Sequence, residues 1–277
     1  MKRNIYKLIL ILVLITLFAG CSKNETKKSS NTERLYQAIN NGDKNMFEAL
    51  LSEGVDINAL RDENINGHLS AAGDFENVYP LEIACQRSPE MAYELLEMGA
   101  DVNAVDPYIN STALIYALAS NNPGRFKLAM DLIEKGADTD HIDDNKRIAI
   151  NLAVHTLSTD PDEAYEESYE LLKMLSEKTD MNYVIESSAS NPLREAAKYG
   201  NCNAIDYILD NELIDIDLVT DGMTPLMIAV IGKNESACEL LIKRGADVTI
   251  ISREGKTAYD YAKEYDLTDI MELFSED

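Results

Sequence analysis

Residues 221–249 read Asp-Gly-Met-Thr-Pro-Leu-Met-Ile-Ala-Val-Ile-Gly-Lys-Asn-Glu-Ser-Ala-Cys-Glu-Leu-Leu-Ile-Lys-Arg-Gly-Ala-Asp-Val-Thr, and the fold is decided here. Asp221-Gly222 is a turn pair. Thr224 stands where a helix N-cap oxygen is wanted, and Pro225 falls at the first helical position, where its missing N–H costs nothing. Leu226, Ile228 and Ala229 give this helix an apolar side, and Gly232-Lys233-Asn234 ends it after about two turns. A second helix follows, with Ala237, Cys238, Leu240, Leu241 and Ile242 at helical spacing. It stops at Gly245, a residue able to take φ > 0. Two short antiparallel helices cannot bury a core alone, so such a unit is stable only when stacked on copies of itself.

Copies are present. The small residue of the first-helix signature recurs as Ala84, Ala117, Ala153, Ala196, Ala229 and Ala262, at intervals of 33, 36, 43, 33 and 33 residues. Gly54-Val55-Asp56, Gly99-Ala100-Asp101, Gly136-Ala137-Asp138 and Gly245-Ala246-Asp247 recur with it, and Thr179-Asp180 and Ile214-Asp215 are worn versions. First-helix openings align as Tyr79-Pro80-Leu81, Thr112-Ala113-Leu114, Asn191-Pro192-Leu193, Thr224-Pro225-Leu226 and Thr257-Ala258-Tyr259.

A 33-residue period with a Thr-Pro-Leu-x-x-Ala opening resembles the ankyrin repeat. The resemblance covers about residues 34–277 and implies an all-α solenoid of about seven stacked helix-turn-helix units; the alternative is an irregular helical bundle. Arg34 to Asn58 reads as the first helix pair, without the Thr-Pro-Leu opening, as a capping unit does. Residues 59–78 and a stretch near Thr156–Tyr165 are longer than simple connections and read as inserts, and Lys146–Leu152 departs furthest from the opening pattern. Arg253–Asp277, with its acidic finish, reads as a C-terminal cap.

The start of the chain has a different character. Lys2, Arg3 and Lys7 precede an apolar run from Leu8 to Phe18 and then Ala19-Gly20-Cys21, the charged, apolar and small-residue regions of an export signal. The run is short of the roughly 20 apolar residues of a transmembrane helix. Phe18-Ala19-Gly20-Cys21 resembles a bacterial lipobox, with Leu17 one place further out than usual. The resemblance implies that residues 1–20 are a signal peptide and that Cys21 becomes the lipidated first residue, anchoring an extracytoplasmic protein to the membrane. An uncleaved anchor or cleavage elsewhere is the alternative. Residues 21–33 contain nothing apolar after Cys21 and read as a flexible tether; Ser22 to Glu33 extended at about 3.3–3.6 Å per residue reaches roughly 40 Å.

Charge narrows the partners. Lys and Arg number 25 against 49 Asp and Glu, a net charge of −24 over 277 residues. Loss of Lys2, Arg3 and Lys7 with the signal leaves 22 − 49 = −27. Such a surface repels phosphate backbones, so nucleic acid is not expected; the charge either steers a basic or neutral protein partner or serves solubility alone.

Catalytic patterns are missing. His68, His141 and His155 are far apart and form no metal signature, and no nucleophile elbow or phosphate-cradling glycine loop occurs. Asp215-x-Asp217 with Asp221-Gly222 only partly matches a calcium loop, since Val219 takes a ligand position, and Asp138–Asp144 lacks the glycine of the bend. Expected cofactors and metals are therefore none. Cys238 repeats the apolar place of Ile205, and Cys85 adjoins Ala84, so both read as packed thiols. Cys202 lies in the interhelix turn of the preceding unit, which leaves a disulfide with Cys238 open.

The ankyrin resemblance implies protein binding through finger tips and the exposed side of the first helices. By aligned position the tips include Tyr108, Asn110, Asp221, Met223 and Glu254, and the helical positions include Gln86, Arg87, Ser120, His155, Lys198, Tyr199, Ile231 and Tyr265. Tyrosine and arginine there suit interface anchors. The function expected is a tethered binding protein without catalytic activity, in the form of an immunity or inhibitor protein or of an envelope scaffold. The competing reading is an enzyme using Asp74, Glu76, Asp160 and Glu163 in the inserts as an acid/base pair.

Overall fold

The computed structural model describes residues 31–60, 78–156, 163–181 and 190–275. Among them are fourteen helices in seven pairs: α1 (31–41) and α2 (Lys44–Ser52), α3 (Pro80–Arg87) and α4 (Pro89–Glu97), α5 (Ala113–Ala119) and α6 (Arg125–Glu134), α7 (Ala149–Thr156) and α8 (Glu163–Lys178), α9 (Pro192–Tyr199) and α10 (Cys202–Asp210), α11 (Pro225–Ile231) and α12 (Glu235–Lys243), α13 (Ala258–Glu264) and α14 (Thr268–Leu273).

The local signals act as read. Thr224 Oγ1 accepts the Met227 N–H at 3.3 Å, and Asn191 and Thr257 cap α9 and α13 in the same way. Gly245 takes φ +93°, as a helix exit requires. At the end of α11, Gly232 stays right-handed and Lys233 takes the positive φ. Gly232 is needed there for space: a Cβ would lie 2.8 Å from the Lys198 carbonyl oxygen.

Each unit alone is too thin to enclose a core, and the row solves this. The first helices stack in order α3, α5, α7, α9, α11, α13, and the second helices pack α4 on α6, α6 on α8, α10 on α12 and α12 on α14. The recurring alanines, from Ala84 to Ala262, are all buried where these layers meet, as are Leu81, Leu114, Leu193 and Leu226. Small side chains there let the helices approach closely; leucines fill what remains. Tyr259 holds the equivalent place in the last unit, and its ring meets Phe274 edge-on at 5.8 Å. Cys85 and Cys238 are buried within this core, and all three described cysteines, Cys202 included, are free thiols. Burial pushes the Cys238 thiol up to about 12, so it packs as an apolar group.

Two expectations on boundaries shift. Residues 31–33, read as the end of the tether, are helical, with Thr32 buried. The insert near Thr156–Tyr165 partly joins α8, a 16-residue helix where other second helices have 6 to 10. Residues 1–30, with Cys21, and most of the 59–78 insert lie outside the described residues.

Units are also joined by a ladder of side chains. Asn58, Asn103, Asp140 and Asp217 each present Oδ1 to the N–H of the next unit's Asp101, Asp138, Asp180 and Asp247, at 2.9, 2.9, 3.0 and 2.9 Å. Where the residue is Asn103, its Nδ2 also donates to the Gly136 carbonyl at 2.9 Å. Where it is aspartate, that donor is missing and negative neighbours are added. Burial, then Asp138 and Asp180, push the Asp140 carboxyl up; burial, then Asp215 and Asp247, do the same to Asp217. A raised carboxyl stabilises most at low pH and loses that contribution as pH rises through its folded value. Asp217→Asn is therefore expected to add about 0.5 kcal/mol at pH 7 in urea denaturation, the gain fading below the carboxylate range.

Candidate interaction surface

Between α4 and α5, and again between α10 and α11, the chain forms a short hairpin, with antiparallel bridges Val105–Thr112 and Thr220–Met223. Asp221 and Gly222 both take positive φ, 52° and 78°, the conformation that a two-residue hairpin turn demands. The finger at 105–112 is organised by Asp106. Its buried carboxylate accepts N–H groups of Tyr108, Ile109 and Ser111 at 2.9, 2.8 and 2.8 Å, and Tyr116 Oη lies 3.3 Å away. This holds Tyr108 outward, 73% exposed. Asn110 sits at φ 53° and is tied to the following finger: its carbonyl meets His141 Nε2 at 2.6 Å.

Along the first helices the exposed positions also come together. His155 and Tyr199 rings meet at 4.0 Å between centroids, tilted by 38°, and Lys198 Nζ lies 4.9 Å from the Tyr199 centroid and 3.9 Å from Glu195. Arg87 and Tyr265 are exposed further along the same row of helix ends, while Gln86 is half-buried. Asp221 pairs with Arg253 at 3.1 Å, largely solvated, and Glu254 with the half-buried Lys256 at 3.0 Å.

Three of the expected contact residues are turned inward. Ser120 is buried, its Oγ donating to the Ala117 carbonyl at 2.8 Å. The α5–α6 turn folds over it because Asn122 N–H lies 3.3 Å from the same oxygen. Met223 and Ile231 are half-buried and pack on the core. Of the carboxylates proposed for acid/base work, Asp74, Glu76 and Asp160 lie outside the described residues and Glu163 begins α8. Among the described residues no group of three or more His, Cys, Asp or Glu is placed to hold a metal. The calcium-like carboxylates are engaged within the protein: Asp215 accepts the Asp217 N–H at 2.9 Å, and Asp217 accepts that of Asp247.

One signal escaped sequence reasoning. Asn122, Asn201 and Asn234 stand five residues after Ala117, Ala196 and Ala229, and each donates Nδ2 to the end of the preceding unit's first helix. Asn122 reaches Gln86 O at 2.6 Å, Asn201 Val154 O at 3.0 Å and Asn234 Lys198 O at 2.6 Å. Carbonyls that would lack an intrahelical partner are capped from the next unit. These asparagines therefore fix the helix ends that carry the exposed row.

A right-stacked row of helix pairs with a fingered edge is a repeat solenoid, a class of protein that presents an extended surface. The family profile "Ankyrin repeats (3 copies)" matches residues 35–143 and 163–252, and the chain belongs to the ankyrin-repeat family. It is similar to zebrafish (Danio rerio) ankyrin repeat and SAM domain-containing protein 6, 25% identical over 227 residues, which are 77% of this chain and 29% of that protein. The chain thus spans under a third of that relative. Among solved structures, the human ASB11 ankyrin repeat domain superposes with TM-score 0.63 at 24% identity, covering 82% of this chain and 90% of the other. An ankyrin repeat protein, EF0377, gives TM-score 0.57 at 24% identity, with 71% and 96% covered. Both likenesses concern the fold. Ankyrin repeats generally mediate protein–protein interaction and are typically non-enzymatic scaffolds.

Proposed function

We propose that this protein is a membrane-tethered binding scaffold that captures another protein along its fingers and first-helix ends, outside the cytoplasm. The observation that carries the binding reading is the clustering of His155, Lys198 and Tyr199 from two units, large side chains with polar tips on a row of helix ends that also exposes Tyr265, while Tyr108 is exposed on a finger. The acidic charge favours a basic or neutral partner and opposes nucleic acid. The tether reading rests on the Phe18-Ala19-Gly20-Cys21 segment, with lipid at Cys21.

Among the described residues no helix is long and apolar enough to cross a membrane; the attachment in this reading is the lipid on Cys21. Labelled palmitate is expected to enter the full chain expressed in a bacterium and to be absent from Cys21→Ser; equal labelling of both would sink the tether. Binding is tested by capture with the full chain. Tyr199→Ala and Tyr265→Ala together are expected to weaken retention of the partner at least tenfold while the melting temperature stays within a few degrees, and unchanged retention would refute this surface. Stoichiometric inhibition of the captured protein would identify an inhibitor or immunity role, and retention without inhibition a scaffold.

A further inference from the structure

Four residues past Asp56, Asp101, Asp138, Asp215 and Asp247 the chain carries an aliphatic residue each time: Leu60, Val105, Ile142, Val219 and Ile251. Val105 and Ile142 are half-buried. Leu60, Val219 and Ile251 are 37%, 49% and 64% exposed. At Val219 and Ile251 about half or more of an aliphatic side chain faces water. Val219 and Ile251 are next to one another along the row. Their two hairpins are joined by the Arg253 N–H to the Gly222 carbonyl at 3.3 Å, by the Arg253–Asp221 pair and by the Asp247 N–H to Asp217.

Charge surrounds them. Residues 215–223 and 247–256 carry Asp215, Asp217, Asp221, Asp247 and Glu254 against Arg253 and Lys256. Both cations are already engaged, Arg253 with Asp221 and Lys256 with Glu254 and Glu264 at 3.0 and 2.8 Å. A partner laid here meets an aliphatic step within a negative field.

We propose that this finger row docks an extended cationic segment of the partner, with an aliphatic residue at every third position and Lys or Arg between. The spacing follows from geometry: stacked helices repeat at about 8–10 Å, and a segment in the extended polyproline II conformation rises about 3.1 Å per residue and brings every third side chain back to the same face, about 9 Å further on. Successive aliphatic side chains of one extended segment thus meet successive fingertips, while the intervening cations face the carboxylates. The assignment rests on the protein-binding reading above and adds the chemistry of the partner.

Anisotropy of fluorescein-labelled twelve-residue peptides with the full chain tests it. One peptide carries Leu at every third position with Lys and Ser between; a second has the same composition with its leucines adjacent; a third has Ser for Leu. The spaced peptide is expected to bind at least tenfold more tightly than either control. Val219→Ser with Ile251→Ser is expected to abolish that preference with no change in melting temperature, both side chains being exposed. Raised salt should weaken all three peptides and keep their order. Equal affinity for spaced and adjacent leucines, or an unchanged preference in the double variant, overturns the proposal. So does a captured protein partner whose binding is lost in Tyr199→Ala/Tyr265→Ala but untouched by Val219→Ser/Ile251→Ser, a result that leaves the binding function itself standing.

Discussion

Glu82→Gln is expected to stabilise the protein by about 3 kcal/mol at pH 7. Glu82 occupies the third position of α3 and is almost fully buried; one carboxyl oxygen accepts the Tyr79 N–H at 2.6 Å, and the other, Oε1, has no hydrogen-bond partner. Burial, with the Asp106 carboxylate facing it, pushes its pKa from the ordinary 4.5 up to about 9. At neutral pH the unfolded chain therefore ionises this residue while the folded protein holds it neutral. A folded state that binds the proton more tightly is stabilised at low pH, and that advantage is complete below about pH 4.5 and lost progressively up to about pH 9.

Glutamine keeps the oxygen that caps Tyr79, cannot ionise, and turns an amide donor toward an acidic surrounding. Urea midpoints of wild type and Glu82→Gln should coincide near pH 4.5 and diverge as pH rises to 8.5. Parallel curves across that range would show that the carboxyl is ionised in the folded state and that the burial argument is wrong.

Asn201→Ala is expected to cost about 2–3 kcal/mol. Asn201 is buried and works in two directions. Its Oδ1 accepts the Ala204 N–H at 3.2 Å and so caps α10, and its Nδ2 donates to the Val154 carbonyl at the end of α7. Alanine removes the cap and leaves the Val154 carbonyl without that donor. Asn201→Asp separates the two roles, since it retains an acceptor for Ala204 and sets a negative charge against the Val154 oxygen. It should be at least as damaging as alanine if the link between units dominates, and nearly neutral if only the cap matters. Denaturation followed by both far-ultraviolet circular dichroism and Tyr fluorescence is the suitable measurement, because solenoids with a weakened junction lose all-or-none unfolding. Coincident wild-type-like transitions in Asn201→Ala would refute the inter-unit role.

The helix pairs were legible from Thr224-Pro225, Gly245 and the spacing of Ala84 through Ala262, because a cap, a turn and an apolar face are each specified by residues within one unit. The finger turn at Asp221-Gly222 was legible for the same reason. Ser120 was misplaced as an outward group. Its alignment with Arg87 and Tyr199 is correct, but a small hydroxyl folds back onto the Ala117 carbonyl where a long side chain projects. The buried state of Glu82 was equally hidden, since a glutamate in the first turn of a helix ordinarily reads as a solvated cap partner.

By itself the sequence determined that this protein is a row of about seven helix pairs of the ankyrin type and strongly acidic, since repeat period, capping residues and charge are local or summed properties. Only the tertiary structure decided that Asn201 and Asn234 cap another unit's helix, that the His155 ring meets that of Tyr199, and that Val219 and Ile251 are exposed on successive fingers. Each depends on groups 30 to 50 residues apart in the chain, and solvent access at such a place is set by the neighbouring unit and not by the residue's own helix or turn.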